Sequence, residues 1–367
     1  MKKIIHIAII GCGRVAGHHV RAINKHPNLK LIAISDLNID RMEKLCGAEQ
    51  VPHYQNYHEM LDNHPEIEAV AIITPSGMHF EHALDMVNIY RKHVIIEKPV
   101  VMTLEQGKIL GEFAKKNSVQ VFPVHQYRFN RCVQRIRQAI LDGELGKIQL
   151  ATVRMRWCRP QHYYDRDPWR GTFAMDGGCC TNQGIHHLDL LRCLNGEVKR
   201  VNCMMRTFGS NIEVEDTVIA NIEFENGALG NIEITTAARP DDFESSLSII
   251  GSKGLAMLGG AFTDKLLEFS PNKSATIDFS DDFEDAYGLG HHKIYDGVFN
   301  AITKQEKPAV EFSDAIKTMN FLHAMYVSAE NNTWININEG LSSKKLGQSN
   351  DALAQMYRTK KLSKQPT

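Results

Sequence analysis

The sequence predicts an α/β protein, with a doubly wound parallel sheet first and an α+β domain with a large, mostly antiparallel open sheet after it. Short apolar runs alternate with amphipathic segments up to about residue 123, which is typical of parallel βαβ units. Consecutive alternating segments follow, which is typical of antiparallel pairing. The chain has 367 residues, a length that suits two domains.

The first domain is predicted over residues 1–123. Its predicted strands are Ile4–Ile10, Leu31–Ser35, Ala69–Ile73, His93–Ile96 and Val119–Val124. Its predicted helices are Val15–Lys25, Ile39–Cys46, His79–Tyr90 and Leu104–Asn117. The first apolar run contains His6 and leads directly into a glycine turn, so we interpret it as a buried strand and not as a signal peptide.

The second domain is predicted over residues 124–342, with a polar tail over 343–367 that we expect to be mobile at its end. Its predicted helices are Phe129–Asp142 and Ala315–Glu330. Its predicted strands are Ile148–Arg156, Val198–Phe208, Thr217–Glu225, Ala228–Thr235 and Ser245–Gly251, which Leu255–Thr263 and Leu266–Phe269 extend. Asn226-Gly227 between two of these strands is typical of a hairpin turn.

The composition excludes several classes of partner. Lys and Arg total 42 against 43 Asp and Glu, and no basic stripe appears, so we expect no nucleic acid. The longest apolar runs are of strand length, so no membrane span is expected. The eight cysteines form no CxxC pair, which indicates reduced thiols and a cytoplasmic protein.

A glycine-rich turn follows the first predicted strand and opens a helix. It reads Gly11-Cys12-Gly13-Arg14-Val15-Ala16, the G-x-G-x-x-G/A fingerprint of a Rossmann dinucleotide-binding domain. Gly11 permits the tight turn, Gly13 lets the backbone approach a pyrophosphate, and Ala16 lets helix and strand pack closely. The helix N-terminus offers free N–H groups to the phosphates. Alternatively, this is an ordinary strand-to-helix turn.

Asp36 ends the second predicted strand. A carboxylate there can accept both ribose hydroxyls of an adenosine and would repel a 2′-phosphate, and no Arg follows immediately, so the predicted cofactor is NAD and not NADP. The alternative roles for Asp36 are a helix N-cap or a solvated loop acid.

Two polar segments follow later strands, Thr74-Pro75-Ser76 and Glu97-Lys98-Pro99. Ligands of open α/β sheets bind at the carboxyl ends of the strands. Burial near a positive nicotinamide would lower the pKa of Lys98 and make it a proton carrier. Alternatively, Lys98 is a surface charge and Glu97 its structural partner.

The segment Gly177–Leu191 is predicted to be helical from about Thr181. Asn182 and His186, four residues apart, would share a face, and Asp189 could orient the His186 ring. Two histidines and an aspartate could also form a metal site, but His186 and His187 are adjacent and point apart on a helix, so no metal is predicted. A purely structural His186 is the remaining alternative.

These motifs together resemble the glucose–fructose oxidoreductase, inositol dehydrogenase and rhizopine-catabolism family. The matching stretches are the turn at 11–16, TPSGMH at 74–79, EKP at 97–99 and the helix at 177–191, within a resemblance over about residues 4–340. The resemblance implies a homo-oligomer, a dimer or tetramer, that associates through the second sheet. It implies hydride transfer between nicotinamide and a sugar or cyclitol, with Lys98 as acid/base residue.

The family helix often reads D-x-x-x-H, but here Asn182 fills the first position. Whether Lys98 or His186 takes the hydroxyl proton therefore stays open. The predicted cofactor site comprises Gly11, Gly13, Arg14, Val15, Ala16, Asp36, Thr74, Pro75, His79, Glu97, Lys98 and Gln126.

A narrower resemblance is to the UDP-N-acetylglucosaminuronate 3-dehydrogenases of lipopolysaccharide O-antigen synthesis, and it rests on residues 156–172, 176–178 and 182–183. Arginines in this loop could neutralise a diphosphate and a carboxylate, and its aromatic residues could stack on uracil or sugar. The predicted substrate residues are Lys98, Arg156, Arg159, Tyr163, Tyr164, Trp169, Arg170, Asn182, Gln183 and His186, and the predicted catalytic residues are Lys98, Asn182 and His186. Alternatively, the loop seals a domain interface.

The predicted function is therefore NAD-dependent oxidation of a sugar hydroxyl, at C3 of a UDP-N-acetylhexosaminuronate, in surface polysaccharide biosynthesis. The alternatives are a dehydrogenase of a free sugar or inositol, and a non-catalytic NAD-binding sensor. The pairs His18-His19 and His291-His292 are expected near helix starts and have no assigned role.

Overall fold

The computed structural model describes residues 3–47, 51–285, 287–338 and 340–359. The predicted mobile end of the tail lies outside these residues. A six-stranded parallel sheet occupies the first part of the chain, in the order β3-β2-β1-β4-β5-β6. Its elements are β1 (Ile5–Ile10), α1 (Ala16–Lys25), β2 (Leu29–Ser35), α2 (Ile39–Cys46), β3 (His53–Tyr54), α3 (Tyr57–Asn63), β4 (Ala69–Ile72), α4 (His79–Asn88), β5 (His93–Ile96), α5 (Leu104–Lys116) and β6 (Val121–Pro123).

The strand order reverses between β1 and β4, which are neighbours in the sheet although two strands separate them along the chain. Ligands of doubly wound sheets bind at such a switch point, outside the carboxyl ends of the strands. The glycine turn follows β1, and Thr74 lies two residues beyond β4. The fold therefore brings these two predicted segments together.

The second sheet has eight strands in the order β13-β12-β11-β7-β10-β9-β8-β14. All neighbours pair antiparallel except β7 and β10, which run parallel, so the predicted fold class is confirmed. The strands are β7 (Ile148–Arg156), β8 (Val198–Arg206), β9 (Thr217–Phe224), β10 (Leu229–Thr235), β11 (Glu244–Gly251), β12 (Leu255–Gly259), β13 (Lys265–Phe269) and β14 (Ile335–Asn336). The helices are α6 (Arg131–Leu141), α7 (Gln161–Tyr164), α8 (Gly178–Asn182), α9 (Ile185–Asn195), α10 (Ala275–Asp278), α11 (Gly290–Lys304), α12 (Phe312–Asn331) and α13 (Asp351–Gln355).

Helices cover one face of this sheet. Buried and exposed residues alternate along β9, and α9 and α12 pack against β7 and β8. This alternation is the period-two pattern of a strand with one face on the core. The same alternation of apolar and polar residues allows these strands to be predicted from the sequence.

Helix α11 begins at Gly290, in agreement with the helix start expected near His291-His292, and it returns to the first domain. Ile294, Tyr295 and Val298 pack in the same buried cluster as Ile7 of β1 and Ile23 of α1. The segment 290–304 thus belongs by its packing to the parallel sheet, although it follows the second sheet along the chain. Sequence periodicity indicates a helix but not which sheet the helix covers.

The predicted continuous helix from Thr181 to Leu191 is wrong. Helix α8 ends at Asn182 and α9 begins at Ile185. Between them, a Cβ on Gly184 would stand 2.8 Å from the Ile234 side chain and 3.1 Å from the Cys179 carbonyl oxygen. The Gly184 N–H donates to the Cys179 carbonyl oxygen, five residues earlier, at 2.7 Å, so the regular helix pattern is broken at this point.

Part of the tail packs against both domains. Leu346 is buried, and the Gly347 N–H donates to the Phe173 carbonyl oxygen at 2.9 Å. Arg358 forms an ion pair with Glu81 of α4 at 2.9 Å. Among the described residues, no helix is both long and apolar enough to span a bilayer.

Candidate active site

The glycine turn has the shape that a dinucleotide needs. Gly11 has φ +96°, and a Cβ there would stand 2.6 Å from the main chain of Ile73, so only glycine fits. A Cβ on Gly13 would meet nothing within 4 Å, which leaves space over the start of α1. Arg14 is exposed beside this space, and Val15 and Ala16 lead into the helix. This geometry fits a pyrophosphate at the helix N-terminus.

Asp36 bridges the turn and the end of β2. One carboxylate oxygen accepts the Cys12 N–H at 2.7 Å and the other accepts the Asn38 N–H at 2.8 Å. Each oxygen keeps a further lone pair for a ribose hydroxyl. Asn38, and not Asp36, is the N-cap of α2, so the structure does not support the N-cap alternative for Asp36.

Glu97 lies at the end of β5 in a buried polar cluster. Its Oε1 faces the Nε2 atoms of His19 at 3.1 Å and His291 at 3.4 Å, and its Oε2 accepts the Lys98 N–H at 3.1 Å. Burial would raise the pKa of Glu97, but the hydrogen bonds and charges of His19 and His291 outweigh it and hold that pKa well below its usual range. His19, Glu97 and His291 therefore join α1, β5 and α11 rather than face the cleft.

Two groups among the described residues bring three possible metal ligands together. They are His19 with Glu97 and His291, and Cys179 with Cys180 and Glu215. In the first group, Nδ1 of His19 also faces the Tyr295 hydroxyl at 2.9 Å. A tautomer with a proton on Nε2 satisfies both sides of the His19 ring, whereas Nδ1 of His291 is buried with no hydrogen-bond partner among the described residues.

His79 does not face the cleft, contrary to its predicted role. It is buried, with Nδ1 2.7 Å from the Pro99 carbonyl oxygen and Nε2 2.9 Å from the Thr74 carbonyl oxygen. Its ring ties together the segments that follow β4 and β5, so it supports Thr74, Pro75 and Lys98 without reaching a ligand. The Thr74 hydroxyl in turn contacts His82 at 3.0 Å.

Lys98 connects the two domains. Its Nζ donates to the main-chain carbonyl oxygen of Asn182 at 2.6 Å and lies 3.4 Å from the Asn182 side-chain oxygen. The peptide bond from Lys98 to Pro99 is cis. Burial lowers the pKa of Lys98 and Arg170 lowers it further, whereas Glu97 and Asp176 raise it.

Asp176 belongs to this arrangement, although it is not among the predicted site residues. Its Oδ2 accepts the Gly171 N–H at 2.7 Å, and its Oδ1 accepts a hydrogen bond from Nδ2 of Asn182. Burial raises the pKa of Asp176. In the sequence, Asp176 is an acidic residue directly before the paired glycines. That position alone does not predict a role, because only the fold brings it near Lys98.

His186 is buried near Lys98. Its ring stacks on Tyr127 at 4.6 Å between centroids, and its Nε2 lies 3.4 Å from Nε2 of Gln126. Burial first, and then the charge of Lys98, hold the pKa of His186 well below its usual range, so the ring is neutral near pH 7. His186 Nδ1 and Gln126 Oε1 are buried and have no hydrogen-bond partner among the described residues. A polar ligand would satisfy both atoms.

Asp189 does not orient His186, so that prediction is wrong. Arg128 enters from the 3-10 helix Gln126–Phe129 and donates two hydrogen bonds to the Asp189 carboxylate, at 2.7 and 2.6 Å. Removing one partner of a buried pair of this kind typically costs about 3–5 kcal/mol. Asp189 thus stabilises the packing of α9, and His187 likewise bonds within the core, to the Ser245 hydroxyl at 2.7 Å.

All three arginines of the predicted substrate site have carboxylate partners, and Arg170 pairs with Asp167 at 3.3 Å. Arg156 pairs with Glu233 at 2.5 Å and with Glu244 at 3.1 Å across the sheet, and Arg159 pairs with Asp242 at 2.7 Å. Neighbouring strands and loops therefore supply anions to Arg156 and Arg159, so these two arginines do not need a diphosphate or a carboxylate from the substrate. Arg156 lies on β7, outside the cleft residues that surround Lys98.

Arg170 and its neighbours do lie near Lys98. Arg170 donates to the Tyr163 hydroxyl at 2.7 Å and stacks over the rings of Tyr163 and Trp169, at 4.6 and 4.5 Å from their centroids. Gln183 also donates to the Tyr163 hydroxyl, at 3.1 Å. Tyr164 is buried, and its hydroxyl contacts Thr236 at 3.1 Å, so it packs within the second domain rather than beside Lys98.

The comparisons with known proteins agree with this geometry. Residues 5–125 match the model of an oxidoreductase family with an NAD-binding Rossmann fold. Residues 133–257 match the GFO/IDH/MocA C-terminal domain. The WlbA dehydrogenase from Bordetella pertussis, solved with NADH and UDP-GlcNAcA, is 31% identical, with a TM-score of 0.84 over 92% of this chain and 99% of that chain. The chain belongs to the GFO/IDH/MocA family.

A second member of this family, the WlbA dehydrogenase from Chromobacterium violaceum, also solved with NADH and UDP-GlcNAcA, is 30% identical, with a TM-score of 0.84 over 92% of this chain and 97% of that chain. These matches confirm the predicted family, the WlbA-like resemblance and NAD as the cofactor.

Among curated relatives, the glucose-6-phosphate 3-dehydrogenase of Bacillus subtilis is 28% identical over 52% of this chain and 53% of its own length. The myo-inositol 2-dehydrogenase of Thermotoga maritima is 27% identical over 53% of this chain and 55% of its own length. The chain spans about half the length of the curated relatives it matches.

Proposed function

We propose that this protein is an NAD-dependent dehydrogenase that oxidises a sugar hydroxyl. One observation carries the proposal: Lys98 Nζ is held 2.6 Å from the Asn182 carbonyl oxygen, between the end of β5 and helix α8, with neutral His186 nearby. An amine with a lowered pKa, in a cleft that adjoins a dinucleotide-binding turn, is what removal of a hydroxyl proton requires. A non-catalytic NAD sensor would have no use for it.

The cofactor site fits the group that the family implies. Gly11 and Gly13 leave room for a pyrophosphate, and the Asp36 carboxylate faces the end of the turn. When bound, NAD accepts the hydride from the sugar carbon. The chain's own residues hold the hydroxyl: Lys98 in its neutral form takes the proton, and His186 can orient the oxygen by a hydrogen bond.

For the substrate, we propose a UDP-linked N-acetylated hexuronate oxidised at C3, in surface polysaccharide biosynthesis in the cytoplasm. Arg170 is the arginine of this loop whose charge lowers the pKa of Lys98, and its guanidinium stacks on the rings of Trp169 and Tyr163. A guanidinium flanked by aromatic rings suits a carboxylate or phosphate beside a sugar face. The WlbA dehydrogenases were solved with such a nucleotide sugar. The eight cysteines are free, which agrees with a reducing compartment.

A smaller substrate is the second candidate. The ion pairs of Arg156 and Arg159 remove two guanidiniums from the set that a diphosphate would need. A free sugar, a sugar phosphate or an inositol would then need only Lys98, Asn182, His186 and Arg170. Curated relatives include enzymes named for such substrates.

The test is a substrate panel. The protein with NAD is offered UDP-N-acetylglucosaminuronate, UDP-N-acetylglucosamine, glucose 6-phosphate, glucose and myo-inositol, and NADH absorbance is followed. We expect kcat/KM to be highest for the uronate nucleotide by at least about tenfold. Higher activity on glucose 6-phosphate or inositol would replace the substrate but leave a dehydrogenase. No oxidation of any sugar by protein that binds NAD would contradict the proposed activity.

We further propose a homo-oligomer that forms through the second sheet. Leu229 of β10, Leu150 of β7, Ile250 of β11 and Leu255 of β12 are consecutive partners in the strand register, and each is 39–59% exposed. Partners in register point to the same face, so these side chains form an apolar row. Such rows mark association surfaces. Light scattering should give a dimer or tetramer, and Leu150→Arg should reduce its mass.

A further inference from the structure

Asp176 lies where the loop that carries Arg170 meets the helix that carries Asn182. Its side chain is almost fully buried, with 1% exposure. The Gly171 N–H and the Asn182 amide each donate to one of its two oxygens. Burying a carboxylate away from water is costly, and these two neutral donors do not neutralise its charge.

The bond from Asn182 fixes which way that amide faces. Because Nδ2 donates to Asp176, the side-chain oxygen of Asn182 turns towards Lys98, 3.4 Å from Nζ. An asparagine alone can take either orientation, since its two ends are nearly identical in shape. An ionised Asp176 can only accept, so it selects the orientation that presents an acceptor to Lys98.

Asp176 also balances charge around Lys98. Glu97 and Asp176 favour the charged ammonium, whereas burial, Arg170 and Arg14 oppose it. Glu97 already shares its Oε1 with His19 and His291. The titratable or charged groups near enough to interact with the charge of Lys98 are Glu97 after β5, Arg14 from the glycine turn, His79 from α4, Arg170 and Asp176 from the loop, and His186 from α9.

We propose that Asp176 is a positioning residue that acts through Asn182 to hold the Lys98 amine and to set its proton affinity. This inference rests on the proposed function, in which Lys98 takes the hydroxyl proton. The competing interpretation is structural: Asp176 serves only to fold the turn at Gly171. The two differ because a structural role leaves the titration of Lys98 unchanged.

The first experiment measures kcat against pH for Asp176→Asn, with saturating NAD and the best sugar of the panel. Loss of the negative charge should move the rising limb of the profile to lower pH, by about one pH unit. The kcat at its plateau should fall about tenfold or more, because the Asn182 amide is no longer fixed. Asp165→Asn is the matched control, since Asp165 is an exposed acid in the same loop. It should keep the parental profile.

Two further variants separate position from charge. Asn182→Ala removes the amide but keeps Asp176. It should lower kcat, and it should move the rising limb of the pH profile less than Asp176→Asn does. The exchange Asp176→Asn with Asn182→Asp returns one carboxylate to the site, so its limb should move back towards the parental pH. An unshifted limb in Asp176→Asn, in protein that binds NAD with parental affinity, would overturn the proposal.

A labelling measurement needs no turnover. The rate of Lys98 acetylation by acetic anhydride, read by mass spectrometry of the Lys98 peptide, is followed against pH. Its midpoint should be lower in Asp176→Asn than in the parent and should recover in the exchange variant. Equal midpoints would overturn the inference. If the parent oxidises no sugar, the proposed function fails, and the labelling midpoint alone decides how Asp176 acts on Lys98.

Discussion

The amine of Lys98 donates to the main-chain carbonyl oxygen of Asn182 across 2.6 Å, which ties strand β5 of the parallel sheet to helix α8 beside the second sheet. The two residues are separated by 84 positions along the chain. Neither sheet alone therefore contains the site. The chemistry depends on how the two units meet.

Replacing Lys98 by Met should abolish turnover while NAD binding persists. The thioether fills similar space but carries no proton, and losing a positioned acid/base group typically costs about a hundredfold or more in rate. Single-turnover kinetics and calorimetric NAD titration measure the two properties. His186→Asn is the comparison, and it should lose less kcat than Lys98→Met if, as proposed, the neutral His186 ring orients the hydroxyl and Lys98 takes the proton. A Lys98→Met kcat within a few-fold of the parent would leave Lys98 a structural role only.

Replacing Asp36 by Ala should weaken NAD binding and narrow its advantage over NADP. The carboxylate that would hold the ribose hydroxyls also fastens the Cys12 N–H at 2.7 Å, so part of the loss reflects a looser turn. Asp36→Asn is the control, because an amide oxygen can keep that bond without the charge that repels a 2′-phosphate. Calorimetry with both cofactors measures this. Stronger NADP than NAD binding by the parent would contradict the assigned specificity.

Much of this site follows from the sequence, and the missing part has an identifiable physical cause. The turn at Gly11 and the acid at Asp36 follow from local chain geometry, so the motif predicts them. Lys98 and Asn182 were predicted separately. Asp176 was not, because its significance comes from a contact with Asn182 in a helix that ends early. Arg156 was misassigned because a sequence does not reveal that Glu233 lies opposite on the neighbouring strand.

The loop arginines should separate into two classes. Arg170→Ala should raise KM for the sugar by about tenfold. It should also move the rising limb of the kcat profile to higher pH, because the charge of Arg170 lowers the pKa of Lys98. Arg156→Ala should leave KM unchanged and affect only stability, because its partners are Glu233 and Glu244 on the sheet. Steady-state kinetics with thermal melts tests both. A larger KM effect for Arg156 than for Arg170 would mean that the substrate reaches the end of β7.

Glu215 should make stability depend on pH. Burial raises its pKa from 4.5 to about 8, with the Tyr326 hydroxyl donating to the carboxyl at 2.8 Å. Between pH 4.5 and 8 the unfolded chain has lost this proton and the folded chain keeps it, so the free energy of unfolding falls as pH rises, by at most about 1.4 kcal/mol per unit. Glu215→Gln should reduce this slope in urea unfolding. An identical slope in the variant would show that Glu215 is ionised in the folded protein.

The transfer of one isotope tests the proposed reaction most directly. UDP-N-acetylglucosaminuronate labelled with deuterium at C3 is mixed with the protein and NAD in a single turnover, and the cofactor is analysed by mass spectrometry. The reaction is quenched within the turnover, before the step can reverse, and the deuterium from C3 should be found in the reduced cofactor. Lys98→Met should show no transfer. Unlabelled cofactor together with intact C3 deuterium, in parent protein that binds both ligands, would contradict the proposed hydride transfer.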